Sequence, residues 1–113
     1  MKVIIAGGRD FNNYDLLAQT MNELNIIISE VVCGDAKGAD TLGATRASAN
    51  DIAIKHYPAD WDTYGRSAGI IRNKQMAEYA DFLVAFWDGK SHGTKNMIDT
   101  MQQMGKHGRV ILY

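Results

Sequence analysis

The sequence predicts an α/β fold, a doubly wound parallel sheet of about five strands with helices on both faces, in three layers. Five short apolar runs occur at even spacing along the 113 residues, and segments with helical periodicity separate them. The runs are almost continuously apolar, which is typical of strands buried on both faces of a parallel sheet. A chain of this length can form one core, so we expect a single domain spanning residues 1–113.

The strands are predicted at 2–6, 28–33, 52–57, 82–86 and 110–112, where β-branched and aromatic residues are concentrated. Right-handed crossovers between them favour the strand order 3-2-1-4-5. In such a sheet, ligands bind beyond the carboxyl ends of the strands, at the point where the strand order reverses. That point lies between the first and fourth strands, so we expect loops 7–10 and 85–97 to meet at a ligand site.

Four helices are predicted, and Asn12 and Asn13 before the first are candidate caps. The second, residues 38–50, is rich in alanine and is expected to lie close against the sheet. Residues 58–68 are predicted to form a long irregular loop, and Gly105 and Gly108 to bracket the turn before the last strand. The buried stripes of the four helices are predicted at Leu17, Met21 and Leu24; at Leu42 and Ala49; at Ile70, Ala77 and Ala80; and at Met97, Met101 and Met104.

The composition disfavours several classes of protein. Twelve Lys and Arg residues against thirteen Asp and Glu residues give a formal net charge of −1, whereas proteins that bind a nucleic-acid backbone usually carry a positive excess. No run approaches the ~18 apolar residues of a membrane span, and the N-terminal apolar run is too short for a signal peptide. We therefore expect a cytoplasmic protein with no membrane partner. Its oligomeric state is left open, and a homo-oligomer is compatible with the sequence.

The sharpest candidate for a ligand-binding element is Gly93-Thr94, at the start of the fourth predicted helix. The free N–H groups and the positive dipole end of a helix start attract anions. Gly93 lets an oxyanion approach the backbone, and Thr94 and Ser91 add hydroxyl donors. The alternative is a helix capped by Ser91 or Thr94, with the glycines serving only the turn.

Two further glycine loops follow the first and second strands. In the first, Gly7 and Gly8 leave room for a ligand, and Arg9 can pair with a phosphate. In the second, Gly34 and Gly38 flank Asp35, which would repel a phosphate but can accept a ribose hydroxyl or hold a magnesium ion. Asp40 is interpreted as compensating the helix dipole. For each loop the alternative is a tight structural turn.

Residues 61–76 supply flat surfaces and donors. Trp61 and Tyr64 can stack on a base, and Arg66, Arg72 and Asn73 can donate hydrogen bonds. Asn73 falls on the apolar stripe of its helix. The favoured interpretation is therefore a buried amide bonded to the backbone.

The single cysteine, Cys33, excludes an internal disulfide and multi-cysteine metal sites. It ends an apolar run and is predicted to be a buried, inert thiol without an identifiable neighbouring base. The three histidines, His56, His92 and His107, lie far apart in sequence and form no metal-ligand pattern. We therefore predict no dedicated metal site and no certain cofactor, with Mg²⁺ compatible with a phosphorylated ligand.

Four motifs resemble the small YspA/YpsA-related branch of the SLOG superfamily: GGRDF at 7–11, GDAKGAD at 34–40, DW with YGRSAGIIRN within 60–73, and AFWDGKSHGT at 85–94. They occur in the expected order and cover most of the chain. The resemblance implies a Rossmann-like fold that binds nucleotides or nucleotide-derived molecules. The superfamily also includes LOG-type phosphoribohydrolases and the DprA DNA-processing proteins.

Two residues depart from the patterns of these relatives. Asp35 stands where the branch usually has a second glycine, which puts close phosphate approach at that loop in doubt. In the phosphoribohydrolases a catalytic glutamate follows three residues after the Gly-Thr pair, and here that position is Met97. The resemblance therefore implies a phosphate-binding site at Gly93-Thr94 but not the catalytic glutamate of the hydrolases.

The leading hypothesis is a protein that binds a phosphorylated nucleotide-derived small molecule, as a sensor or sequestering module. The alternative is a hydrolase that cleaves an N-glycosidic or phosphoester bond, for which Asp88 and Asp35 are weak catalytic candidates. The third hypothesis, single-stranded nucleic acid binding through Trp61, Tyr64 and Trp87, is disfavoured by the balanced charge. The predicted ligand-binding residues are Gly7, Gly8, Arg9, Gly34, Gly38, Tyr64, Arg72, Asn73, Trp87, Asp88, Gly89, Ser91, Gly93 and Thr94.

Overall fold

The computed structural model describes residues 1–35 and 37–113. Within them the chain forms a five-stranded parallel sheet in the order β3-β2-β1-β4-β5, as predicted. The strands are Lys2–Gly7 (β1), Glu30–Cys33 (β2), Ala53–His56 (β3), Phe82–Trp87 (β4) and His107–Leu112 (β5). The helices are Tyr14–Glu23 (α1), Ala39–Ala49 (α2), Trp61–Tyr64 (α3), Ala68–Tyr79 (α4) and His92–Gln103 (α5), with a 3₁₀ turn at Gly65–Ser67.

The two faces of the sheet carry separate apolar clusters, which gives the fold its three layers. Along β1, Val3 and Ile5 join the cluster with α1 and α2, whereas Ile4 and Ala6 join the cluster with α4 and α5. This alternation follows from the two-residue period of a strand. The central strands β1 and β4 are thus buried on both faces, which confirms the interpretation of their apolar runs.

The edge strands do not follow that prediction. β3 and β5 are largely exposed because each has only one neighbouring strand and little helix cover. β5 also begins at His107, three residues earlier than predicted, so Gly108 lies within the strand and not in a turn. A Cβ at Gly108 would come within 2.9 Å of the Leu83 carbonyl oxygen, so its glycine serves close strand packing.

The helices confirm two expectations about their ends and packing. The side chain of Asn13 caps α1 by accepting the Leu16 amide at 3.0 Å. α2 lies close to the sheet because Gly43 faces Ile5, and a Cβ there would come within 2.7 Å of the Ile5 Cγ2. The buried stripe of α2 is formed by Ala39, Asp40, Gly43 and Ala47, so Ala49 is exposed and Leu42 only partly buried.

Three other predictions are wrong. Ile70 is 60% exposed, because the buried face of α4 is set by Ala68, Asn73, Met76 and Ala77. Met104 lies beyond the end of α5 and is 36% exposed. The stretch 58–68 is not irregular throughout, since it contains α3, which the Asp60 side chain caps through the Thr63 amide, and the 3₁₀ turn.

None of the helices in the described residues combines the length and the apolarity that spanning a membrane requires.

Candidate ligand-binding site

A cavity of about 570 Å³ lies at the carboxyl ends of β1 and β4. Its walls come from the loop after β1, from α4 and from the start of α5. The volume is typical of small-molecule sites. The predicted residues that line it are Gly7, Gly8, Arg9, Arg72, Asn73, Asp88, Ser91, Gly93 and Thr94. The loops after β1 and β4 therefore share one cleft.

Other predicted residues lie outside this main cavity. Gly34 and Asp35 line a second cavity of about 450 Å³, which shares Arg9, Trp61 and Arg72 with the main one. The residues that line neither cavity are Gly38, Tyr64, Trp87 and Gly89.

The start of α5 presents backbone and hydroxyl donors to the main cavity. Within the described residues, the Ser91 side chain makes no capping bond to the helix, and its Oγ lies 3.3 Å from the Thr94 Oγ1. A Cβ built on Gly93 meets no described atom within 4 Å, so the backbone there is open to an incoming group. The first N–H groups of any helix lack intrahelical acceptors. Backbone and hydroxyl donors thus converge where an anion can approach.

Asp88 shapes the loop that leads into this helix. One carboxylate oxygen accepts the amides of Lys90 and Ser91, both at 2.8 Å. These bonds, the Ser91 bond first, hold the pKa of the Asp88 carboxyl below its usual range. The Trp87 indole also donates to the Ser91 carbonyl at 3.1 Å. Asp88 and Trp87 therefore have structural roles that sequence reasoning did not distinguish from ligand contacts.

Around the cavity, two acidic side chains have hydrogen-bond partners in the described part of the chain, whereas two arginine side chains do not. Asp10 accepts the Tyr113 hydroxyl at 2.6 Å, and Asp40 accepts the Gly34 amide at 3.0 Å. In contrast, Arg9 and Arg66 are exposed and have no hydrogen-bond or ion-pair partner within residues 1–35 and 37–113. The cleft thus offers two guanidinium groups that are not committed to protein acceptors.

A chain of hydrogen bonds joins the two sides of the cleft. Arg72 donates to the Gly34 carbonyl at 2.6 Å and to the Asn73 Oδ1 at 3.0 Å. Asn73, 6% exposed, donates to the Gly93 carbonyl at 3.2 Å and to the Asn96 Oδ1 at 3.0 Å. The interpretation of Asn73 as a satisfied buried amide is therefore confirmed, and Arg72 commits two of its donors to protein acceptors.

Four of the predicted glycines lie close to other parts of the protein. A Cβ on Gly7 would overlap the Phe86 carbonyl, one on Gly8 the Tyr113 hydroxyl, and one on Gly34 the Arg72 guanidinium. Gly38, with φ of +78°, would overlap the backbone at Gly8 and Arg9. At Gly7 and Gly38 the overlap is with backbone, so close approach within the protein explains these two glycines without a ligand. At Gly8 and Gly34 the overlap is with the ends of the Tyr113 and Arg72 side chains, which can move aside. Gly93 differs from them because open space surrounds it.

Several cavity residues were not among the predicted ligand contacts. Trp61 lines the cavity and Tyr64 does not, although both side chains are predicted from the sequence as surfaces on which a base can stack. Arg66, which the sequence indicates only as a possible hydrogen-bond donor, also lines the cavity. Met97, at the position of the hydrolase glutamate, forms part of the wall. The remaining ones are Ala6, Asp10, Asp40, Gly69, Ile70, Met76, His92 and Asn96. Five of these, Asp10, Asp40, Gly69, Ile70 and His92, lie within the four sequence motifs, but nothing in the sequence marked them as facing the cavity. Ala6, Met76 and Asn96 lie outside the motifs, and only the packing of the fold reveals them.

A separate cluster lies at the ends of β2 and β3. Cys33 and His56 are register partners on these strands, and the Cys33 Sγ lies 3.6 Å from the His56 Nδ1 and 3.6 Å from the Asp35 Oδ1. His56 Nδ1 and Asp35 Oδ1 are 2.5 Å apart. The thiol is buried, as predicted, but it does have a neighbouring base. Burial, with a smaller contribution from the negative charges of Asp35 and Asp40, raises the pKa of the Cys33 thiol to about 12 despite an opposing hydrogen bond from the Asp35 backbone.

The parallel sheet and the cleft at its switch point define a Rossmann-like α/β protein. The chain belongs to the YspA, cpYpsA-related SLOG family, whose sequence profile matches residues 1–64, more than half of the chain. It is 30% identical to the Gene 61 protein of Mycobacterium phage D29, over 92% of this chain and 90% of that protein. No solved structure matches the chain significantly.

This membership links the chain to nucleotide-related binding or modification. The matched segment contains β1, β2 and β3 with their loops. The part of the cleft formed by α4 and the start of α5 lies beyond it.

Proposed function

We propose that this protein binds a phosphorylated nucleotide or nucleotide-derived molecule in the main cavity. The observation that carries the proposal is the open backbone at Gly93, beside the hydroxyls of Ser91 and Thr94 at the start of α5. A phosphate there would accept bonds from the first-turn amides and benefit from the helix dipole. The family membership supports a nucleotide as the source of that phosphate.

The uncommitted guanidinium groups supply the positive charge. Arg9 and Arg66 line the same cavity and can form paired bonds with phosphate oxygens. Arg72 contributes long-range charge while its donors hold Gly34 and Asn73. In this proposal Arg9 and Arg66 neutralise the charge of the phosphate.

The apolar part of the cavity is suited to a base or ribose. Trp61 and Ile70 line it and are 52% and 60% exposed, which leaves their surfaces available for stacking or contact. Met76 and Met97 close the inner wall. A ligand with a flat ring at one end and a phosphate at the other fits this division.

Two observations favour binding over cleavage. The residue at the hydrolase glutamate position is Met97, which is fully buried and cannot transfer a proton. Asp88 is held ionised by two backbone amides, so it is poorly suited to act as a general acid at neutral pH. These features support sensing or sequestration of the ligand.

A thermal-shift titration with AMP, ADP-ribose, NAD and cyclic nucleotides tests the proposal. At a ligand concentration one hundred times the Kd, binding stabilises the folded state by about 2.7 kcal/mol, which raises the Tm of so small a domain by roughly 10 °C. Calorimetry on Thr94→Val and Arg66→Gln should show weaker binding, whereas Arg109→Gln, an exposed change on β5, should not. A flat response across a broad nucleotide library would refute the proposal.

A further inference from the structure

The cluster at the ends of β2 and β3 does not line the main cavity and contributes no residue to the proposed nucleotide site. It combines a thiol, an imidazole and a carboxylate, whose nearest ligand atoms all lie within 4.8 Å of one another. Parallel pairing of β2 with β3 brings Cys33 beside His56. Asp35, with φ of +59°, lies two residues beyond Cys33, and its carboxylate contacts both other groups.

The distances in this cluster match those around a tetrahedral zinc ion. Zinc–sulfur and zinc–nitrogen bonds of about 2.3 and 2.1 Å at a tetrahedral angle place sulfur and nitrogen about 3.6 Å apart. The Cys33 Sγ is 3.6 Å from the His56 Nδ1 and 3.6 Å from the Asp35 Oδ1. Two of the three distances between the ligand atoms, sulfur to nitrogen and sulfur to oxygen, therefore already suit a bound zinc ion.

The third distance, between the His56 nitrogen and the Asp35 oxygen, would have to increase. His56 Nδ1 and Asp35 Oδ1 share a hydrogen bond of 2.5 Å, and an ion between them would widen this separation by about 1 Å. The side chains of His56 and Asp35 are 53% and 39% exposed, so both can turn without disturbing the core. The same exposure gives an ion a path to the buried sulfur.

We propose that Cys33, Asp35 and His56 bind a single zinc ion, with the fourth position open to water or to a ligand. Thiolate and imidazole ligands select zinc over the harder magnesium ion. Three protein ligands with one open position are typical of zinc sites that act on or hold another molecule. Asp35 also lines the second cavity, which adjoins the cluster.

Charge and proton balance are consistent with this assignment. On binding, the Cys33 S–H bond breaks, a sulfur–zinc bond forms and the proton passes to solvent. His56 coordinates through a neutral Nδ1, and Asp35 supplies one negative charge. The nearby carboxylate of Asp40 adds negative charge close to the thiol, which partly offsets the cationic side chains of Arg9, Lys37 and Arg72 around the adjoining cavity.

Zinc titration of the full chain against a colorimetric chelator at neutral pH tests the site. One equivalent should bind, and Co²⁺ should give a thiolate-to-cobalt charge-transfer band with the visible bands of tetrahedral coordination. His56→Gln, a change at an exposed position, should weaken binding at least about tenfold, as should Cys33→Ala. His107→Gln, on the opposite edge strand, is the matched control and should bind as the wild type does.

Three results would overturn the assignment: no stoichiometric uptake, a cobalt spectrum without the thiolate band, or uptake unchanged in His56→Gln. Circular dichroism of each variant establishes that it is folded. Nucleotide binding by the main cavity does not depend on any of these results, so failure of one proposal is separable from failure of the other.

Discussion

Asn73 donates its side-chain amide to the backbone carbonyl of Gly93 at 3.2 Å and so ties the middle of α4 to the first turn of α5. The same side chain accepts a bond from Arg72, which in turn holds the Gly34 carbonyl. Residues from three separate loops and helices are thereby fixed around the main cavity. The phosphate seat that we propose is thus supported by bonds that involve no ligand, which is the condition for a preorganised site.

Replacement of Asn73 by leucine should destabilise the fold. The change keeps the volume similar but removes hydrogen bonds to Arg72, Gly93 and Asn96, which are half-buried or exposed, so we expect a loss of about 1 kcal/mol. Urea denaturation measures the loss. Gln75→Leu, at an exposed position of the same helix, is the control, and an equal effect in both variants would contradict the role of Asn73.

The glycines of the cleft should separate into two classes on substitution by alanine. In Gly7→Ala the new methyl would overlap the Phe86 carbonyl and approach the Ala39 Cβ at 2.8 Å, so we expect a loss of about 1–3 kcal/mol. In Gly93→Ala the methyl has open space and alanine favours the helix, so the free energy of unfolding should change by less than about 1 kcal/mol. Similar losses in the two variants, measured by denaturant unfolding, would be inconsistent with this division.

Asp88→Ala should loosen the loop before α5. Without the carboxylate, the amides of Lys90 and Ser91 lose their acceptor, and their hydrogen exchange should accelerate. Asp88→Asn keeps an acceptor oxygen and should retain most of the protection. In the wild type, an NMR titration should place the Asp88 midpoint below 3.8. Because this pKa is lowered on folding, the stabilisation it provides is present above the ordinary value and is lost as the pH falls through the folded value.

Tyr79 should make stability depend on alkaline pH. Its hydroxyl donates to the Glu30 carboxylate, and this bond, more than burial, raises the pKa of Tyr79 to about 12 from an ordinary value of 10.0. A raised pKa means that the stabilisation is complete below pH 10.0 and is lost as the pH rises through about 12. A spectrophotometric titration of Tyr79→Phe should therefore no longer show the tyrosine that ionises with a midpoint near 12. In Glu30→Gln that midpoint should move back toward the ordinary value, and an unchanged midpoint would rule out the carboxylate as the cause.

The strand order and the central strands were predictable because their signals are local and strong. The apolar runs of β1 and β4 are nearly continuous, and parallel connectivity leaves few orders open. The start of β5 was harder, since His107, Gly108 and Arg109 carry no apolar signal and only the pairing of Gly108 with Leu83 makes them part of the strand. Ile70 shows the same difficulty in a helix, where a polar Asn73 takes the buried face because it has acceptors on α5.

The site was predictable in position but not in the roles of its residues. The two glycine loops converge because strands one and four are neighbours, which the topology alone implies. Whether a glycine faces a ligand or a carbonyl depends on contacts between distant segments, as at Gly7 and Gly38. The approach of Cys33 to His56 depends on the register of β2 against β3, which no single-strand pattern encodes.

The position of β1 in the middle of the sheet has a consequence for shortened versions of the chain. Val3 pairs with Val31 on one side and with Phe82 on the other, so a fragment ending near residue 64 leaves half of the backbone groups of β1 without partners. That bare edge is flanked by Ile4 and Ile5, which are completely buried in the intact protein. An open apolar edge recruits strands from other molecules. The segment that carries the family signature is therefore a poor candidate for separate expression, because it lacks β4, the strand that covers this edge of β1.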